Sequence, residues 1–124
     1  MKSNLILVTM ILLAFAGTVS AHHGNASYDM TKTVTVKGAV TDFQFVNPHV
    51  LIYLDVKEAD GTVAKWAGEL TSPNRLSRLG WTKSTLKVGD EVTMSGASSK
   101  SGAPRMWATK VSNASGELKV GGVD

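Results

Sequence analysis

An all-β fold with one short helix is what this sequence predicts, and three observations predict it. Apolar residues recur at every second position in several separate stretches, the period of a half-buried strand. Turn-forming pairs such as Asn47-Pro48, Asp60-Gly61 and Gly89-Asp90 punctuate those stretches. A single segment, Ser72 to Gly80, carries both a helix start and a helix stop signal.

The elements follow in order. The period of two begins at Thr33, with Val34, Val36 and Val40 on one parity and Phe43 and Phe45 on the other. A change of parity within one strand requires a bulge or bend, because one extra residue sends every later side chain to the opposite face. Gly38 is the expected weak point. After Asn47-Pro48, "HVLIYLDV" places Val50, Ile52, Leu54 and Val56 on one face. The polar loop "KEADG" turns the chain into "TVAKWAGEL", a third strand over Thr62 to Leu70.

In "TSPNRLSRLGW", Ser72 is a good N-cap, Pro73 suits the first helical position and Gly80 suits the C-terminal cap. Leu76 and Leu79 form an apolar i, i+3 pair. Trp81, next to the cap, is expected to pack back on the helix. Two further strands follow, Glu91 to Gly96 and Arg105 to Ser112, joined by the polar loop "SSKSGAP". Met94 shares a parity with Val92 and reads as core, while Met106 and Ala108 compete with Trp107 for the inner face of the last strand.

Strand, strand, strand, helix, strand, strand is the order of the OB-fold, a partly open five-stranded barrel. The expected architecture is therefore an OB-fold-like small barrel over residues 32–112, with an SH3-like or sandwich arrangement as the alternative. Residues 113–124 are Gly-rich and read as a flexible tail, and residues 22–31 as an extended N-terminal arm.

The chain begins with a secretory pattern: Lys2, an apolar run from Leu5 to Ala16, and the small residues Val19-Ser20-Ala21. Residues 1–21 are thus expected to be a signal peptide, too short to make a comfortable membrane span. The sequence has no cysteine, which excludes disulfides, lipid attachment through a cysteine and thiolate metal sites. A cysteine-free exported domain points to a bacterial periplasm or to secretion. The formal net charge is +3 with the charges interspersed, a solvated surface and not a nucleic-acid footprint.

Several motifs stand in one order: "AHH", "NPHVLIYLDV", "SPNRLSRLGWT" and "LKVGDEVTMSG". The chain resembles a family of short exported bacterial proteins classed as a domain of unknown function, over nearly all of the mature chain. That resemblance implies a periplasmic or secreted small β-barrel and brings no activity with it. Family members often continue the double histidine with Ser and an aromatic residue. Here Gly24 follows, and the nearest aromatic is Tyr28.

The chain has three histidines, His22, His23 and His49, and two adjoin the cleavage site. Cleavage after Ala21 would make His22 the first residue, so that its amine and Nδ1 can close a ring on one metal ion. A second imidazole, from His23 or His49, completes a T-shaped three-nitrogen set, a tetragonal geometry that favours Cu(II). Cleavage after Ser20 would put His23 at position three, a square-planar Cu(II) or Ni(II) chelator. Val19 and Ala21 fit the small-residue preference better, which favours the first cut. Geometry raises an objection: the arm joins the start of strand one, and His49 lies just past its end. That strand is about 45 Å long if straight, against a reach of about 33 Å for the arm.

The other candidates are Trp107 and Asn47 for a ligand face, and Met94 and Met106 as soft ligands for Cu(I). Asp42 and Asp55 flank the Asn-Pro-His turn and read as surface charges more than as a catalytic pair. Gly-x-Ser-x-Gly is absent, and no phosphate or calcium loop is present. The sequence therefore predicts a binding module and not an enzyme, coordinating copper through its mature N-terminal histidines. The alternative is a metal-free envelope interaction module that binds a protein partner or glycan on the barrel face. A copper-dependent oxidase is the weakest reading, because no substrate groove is legible.

Overall fold

A computed structural model describes residues 26–121. The expected signal segment, His22 and His23 lie outside the described residues. The strands are β1 (Tyr28–Gln44), β2 (Leu51–Lys57), β3 (Val63–Glu69), β4 (Glu91–Ser99), β5 (Arg105–Asn113) and β6 (Gly116–Leu118), with α1 (Pro73–Arg78) between β3 and β4. They form one sheet in the order β3-β2-β1-β4-β5-β6. A parallel pairing of β3 with β5 joins Ala67 to Arg105, Gly68 to Met106 and Glu69 to Trp107. That pairing closes β1, β2, β3, β5 and β4 into a ring, the OB-fold-like barrel that the element order predicts.

β1 closes the ring because it pairs with β4 through its first part and with β2 through its second, changing partner at Ala39. The parity change has its cause at Thr41, where the register with β2 slips between Val40 and Asp42. Gly38 is not the point of slippage; it pairs regularly with Val92. It sits where β1 passes so close to β2 that a Cβ would lie 2.2 Å from the Asp55 carbonyl oxygen.

The strand also begins earlier than the period of two suggests, at Tyr28, with an irregularity between Asp29 and Thr33. The last residues of the expected arm thus belong to the barrel. A mismatched register interrupts the alternation there, so sequence periodicity does not reveal the strand.

The core is made by the predicted inner faces. Val50, Ile52, Leu54 and Val56 of the second strand region are buried, as are Val92, Met94, Met106, Ala108 and Val111. Both methionines are wholly enclosed in that core, where a thioether acts as adaptable packing. α1 places Leu76 in the core, while Leu79 stays 39% exposed, so only one of the expected apolar pair is fully buried. Ser72 Oγ accepts from Arg75 N–H at 3.4 Å, and Pro73 opens the helix as predicted. At the other end Gly80 N–H donates to Ser77 O and Trp81 N–H to Leu76 O, the two bonds of a Schellman cap.

Residues 113–121 depart from the expected tail. β6 pairs with β5, Val120 is buried, and the Trp81 indole N–H donates to the Lys119 carbonyl at 2.7 Å. One side chain thus ties the helix cap to the C-terminal segment. Replacing Trp81 with Phe keeps most of the apolar surface and deletes that bond. The expected loss is about 1 kcal/mol, with faster amide exchange confined to residues 118–121. Unchanged exchange there would show that the indole does not hold the segment.

Candidate functional site

The closure of β3 on β5 places one carboxylate between two distant parts of the chain. Glu69 ends β3 opposite Leu51 of β2 and beside Trp107 of β5. It is 17% exposed, and both of its oxygens accept hydrogen bonds. Tyr28 Oη donates to Oε2 at 2.5 Å, and His49 Nδ1 lies 2.7 Å from Oε1. The Arg105 guanidinium stands 4.0 Å from Oε2, beyond hydrogen-bonding distance. Trp107 fills the space between the two partners: its ring meets His49 edge-on at 5.3 Å and Tyr28 at 6.2 Å.

The electrostatics follow from these contacts. Burial first, and then the Glu69 carboxylate, hold the Tyr28 phenol well above its ordinary ionisation range; Arg105 opposes this. Tyr28 is therefore a donor throughout the neutral range. An ionised carboxylate can only accept, so the hydrogen on the His49 side sits on Nδ1. In the neutral ring this leaves the lone pair on Nε2. A histidine whose Nδ1–H is held by a carboxylate is the usual arrangement behind a metal-binding Nε2. The Nδ1 contact also aims the ring, since a side chain only a quarter exposed has few alternative rotamers beside Trp107.

Of the residues singled out from the sequence, His49 and Trp107 come together here. Asn47 does not: it is exposed in the turn, joined to Pro48 by a cis peptide bond, and takes no part in the cluster. Asp42 and Asp55 have separate partners, Gln44 at 2.9 Å and Lys65 at 3.1 Å, and form no carboxylate pair. Tyr28, Glu69 and Arg105 escape the sequence reading. The available signal for Glu69 is a lone carboxylate among buried Ala67, Gly68 and Leu70, where an unpaired charge would be costly. For Tyr28 it is the one large aromatic in a run of small and polar residues.

Beside the cluster opens a cleft of about 420 Å³, lined by Ser27, Tyr28, Glu69, Lys100 and Arg105 among others. Lys100 Nζ donates to the Ala26 carbonyl at 2.9 Å, and Lys100 N–H to the Ser27 carbonyl at 3.0 Å. The β4–β5 loop thereby pins the chain immediately before β1. Among the described residues, no three side chains of the ligating types cluster, and no helix is long and apolar enough to cross a membrane.

The fold and this cluster define an OB-fold-like barrel with a polar, aromatic-lined corner at the closure of β3 on β5. The chain belongs to a family of unknown function, DUF6152, whose model matches residues 10–108. No curated protein matches it. Among solved structures, it is similar to the mitochondrial single-stranded DNA binding protein Rim1 from S. cerevisiae, at a TM-score of 0.51 and 8% identity, over 67% of this chain and 93% of that one. At that identity the likeness concerns the fold. A ZRD-deleted mutant of TiaS in complex with agmatine aligns at a TM-score of 0.46 and 19% identity, covering 76% of this chain and 24% of the other.

Proposed function

We propose that this protein is a small exported bacterial binding module whose mature N-terminus coordinates copper. His22 supplies its amine and imidazole, and His49, or alternatively His23, supplies the third nitrogen. The observation that carries this reading is the shared carboxylate. Tyr28 at the start of β1 and His49 beyond its end bond the two oxygens of Glu69. The sequence objection of a long first strand loses its force, because the barrel brings the strand's two ends to one corner. Position 22 precedes Tyr28 by six residues, a reach of at most about 20 Å.

The donors fit the metal. The described barrel offers one imidazole there, with Nδ1 committed and Nε2 left as the ligating nitrogen. An amine and two imidazoles make a set that prefers a tetragonal ion, and copper binds such sets most tightly among the common divalent metals. Glu69 supplies the outer-shell carboxylate. Copper held this way is cargo or a resident ion; the chemistry it supplies is nitrogen-ligated Cu(II) open to exchange.

The experiment is a Cu(II) titration of the exported chain, followed by electron paramagnetic resonance, on wild type, His49→Ala and Glu69→Gln. His49→Ala is expected to weaken binding and reduce the nitrogen hyperfine structure. Glu69→Gln is expected to weaken it about 10-fold or more while leaving the ligand set unchanged. Identical titrations for wild type and His49→Ala would remove His49 from the site.

A metal-free interaction module is the second reading. It is favoured by the cleft beside Tyr28, whose lining extends to Ser27, Lys100 and Arg105, residues that the metal site does not use.

A further inference from the structure

Two clefts meet on the outer face of the closure. The one beside Tyr28 measures about 420 Å³. A neighbour of about 450 Å³ is lined by Tyr53, Lys65, Trp66 and Pro104. Ala103 and Arg105 line both, so the two clefts adjoin with Arg105 at their boundary, and the two are taken together as one groove. Each lies in the size range of small-molecule sites. The groove runs from β3 to the β4–β5 loop, where barrels of this type present ligand surfaces.

The chemistry along the groove alternates. Lys100 and the Ser27 and Ser101 hydroxyls stand at one end, Arg105 in the middle, and Tyr53, Pro104 and Lys65 at the other. Glu69 is the carboxylate in the lining, and it already has partners. It accepts from Tyr28 and His49, and Asp55 takes Lys65 at 3.1 Å. Arg105 already acts on the Tyr28 phenol and on Glu69, but two such contacts do not use up the five donors of a guanidinium. Its side chain is 52% exposed, and its approach to Glu69 is 4.0 Å. A guanidinium in that state retains the planar fork that matches a carboxylate.

We propose that this groove binds an acidic saccharide, with a sugar carboxylate on Arg105 and a sugar ring along Tyr53 and Pro104. Sugars combine an apolar C–H face with hydroxyls, and the groove offers an apolar wall beside short hydroxyls and cations. A single-stranded nucleic acid needs successive stacking platforms along a cationic track. Here Trp66 is packed against the core, which leaves Tyr53 as the platform in the groove. The proposal does not depend on copper.

The test is calorimetric titration of the exported chain, in chelator to remove metal, with a galacturonate hexamer, cellohexaose and a dT hexamer. The hexauronate is expected to bind and the neutral hexamer to bind at least tenfold more weakly. Arg105→Ala is expected to cost about tenfold or more; Arg105→Lys should fall between, because it keeps the charge and loses the fork. Thermal melting identifies any variant that fails to fold, and Tyr53→Ala then supplies the second loss of binding. No binding of the hexauronate overturns the proposal. So does equal binding of cellohexaose, a folded Arg105→Ala that binds like wild type, or a dT hexamer that binds as tightly as the uronate.

Discussion

Gly96→Ala is expected to lower the melting temperature of this protein by more than 10 °C, the largest effect of any single methyl group in the barrel. A Cβ at position 96 would lie 1.9 Å from the Trp107 carbonyl oxygen, 2.7 Å from its carbon and 2.8 Å from the Ala108 Cα. All three atoms are backbone, so no rotamer change relieves the overlap; β4 and β5 would have to separate. The register between these strands already slips at Ser95–Gly96, and the close approach there is what the glycine permits. Overpacking typically costs about 1–3 kcal/mol and occasionally more; a backbone overlap that no rotamer relieves stands at the upper end, a large share of the roughly 5–15 kcal/mol that holds a domain together. For about 100 residues that corresponds to a shift on the order of 10–20 °C. Circular dichroism melts of the two proteins check it. A variant that melts within a few degrees of wild type would show that β4 and β5 do not approach so closely. The same change would disturb the site, since β5 presents Trp107 to His49 and Tyr28.

Acetylating the α-amine of the exported chain is expected to cost about 100-fold or more in Cu(II) affinity. In the proposed site the amine and the Nδ1 of His22 bind one ion as a ring. Once one donor is attached, the second binds intramolecularly, and such linkage multiplies affinity by about 10²–10⁴. Acetylation removes the amine from either mature terminus, the one that starts at His22 or the one that starts at Ala21. Intact mass of the exported chain distinguishes these two. If acetylated and free chains titrate alike, the terminus takes no part in binding. A chain whose first residue lies beyond His23 would end the copper proposal outright.

The groove beside Arg105 and the corner at Glu69 share a wall, yet their predictions separate. Removal of metal leaves the saccharide titration untouched, and His49→Ala leaves both Arg105 and Tyr53 in place. Each site can therefore fail alone.

Much of the barrel is legible along the chain because its signals are local. The alternation of Val50, Ile52, Leu54 and Val56 needs only the pleat of one strand. The caps at Ser72 and Gly80 need only the end groups of one helix, and a bulge within β1 follows from a parity count, although the count does not place it at Thr41. Met94 announces its burial by sharing a face with Val92. The corner is a different matter. Tyr28 and Glu69 are 41 residues apart, and His49 and Glu69 are 20 apart. Nothing within a window of ten residues relates them. Whether Met106 or Trp107 faces inward is likewise set by the pairing of Glu69 with Trp107, not by the sequence around them. Trp81 and Lys119 meet across 38 residues for the same reason.

The order of the first five strands, the helix between the third and fourth, most of the inner faces and the adjacent histidines at 22 and 23 lie in the residue pattern alone, because periodicity and capping act over a few residues. The meeting of Tyr28, His49, Trp107 and Arg105 around Glu69 came from ring closure, because a barrel pairs strands distant in sequence and carries their end residues to one place.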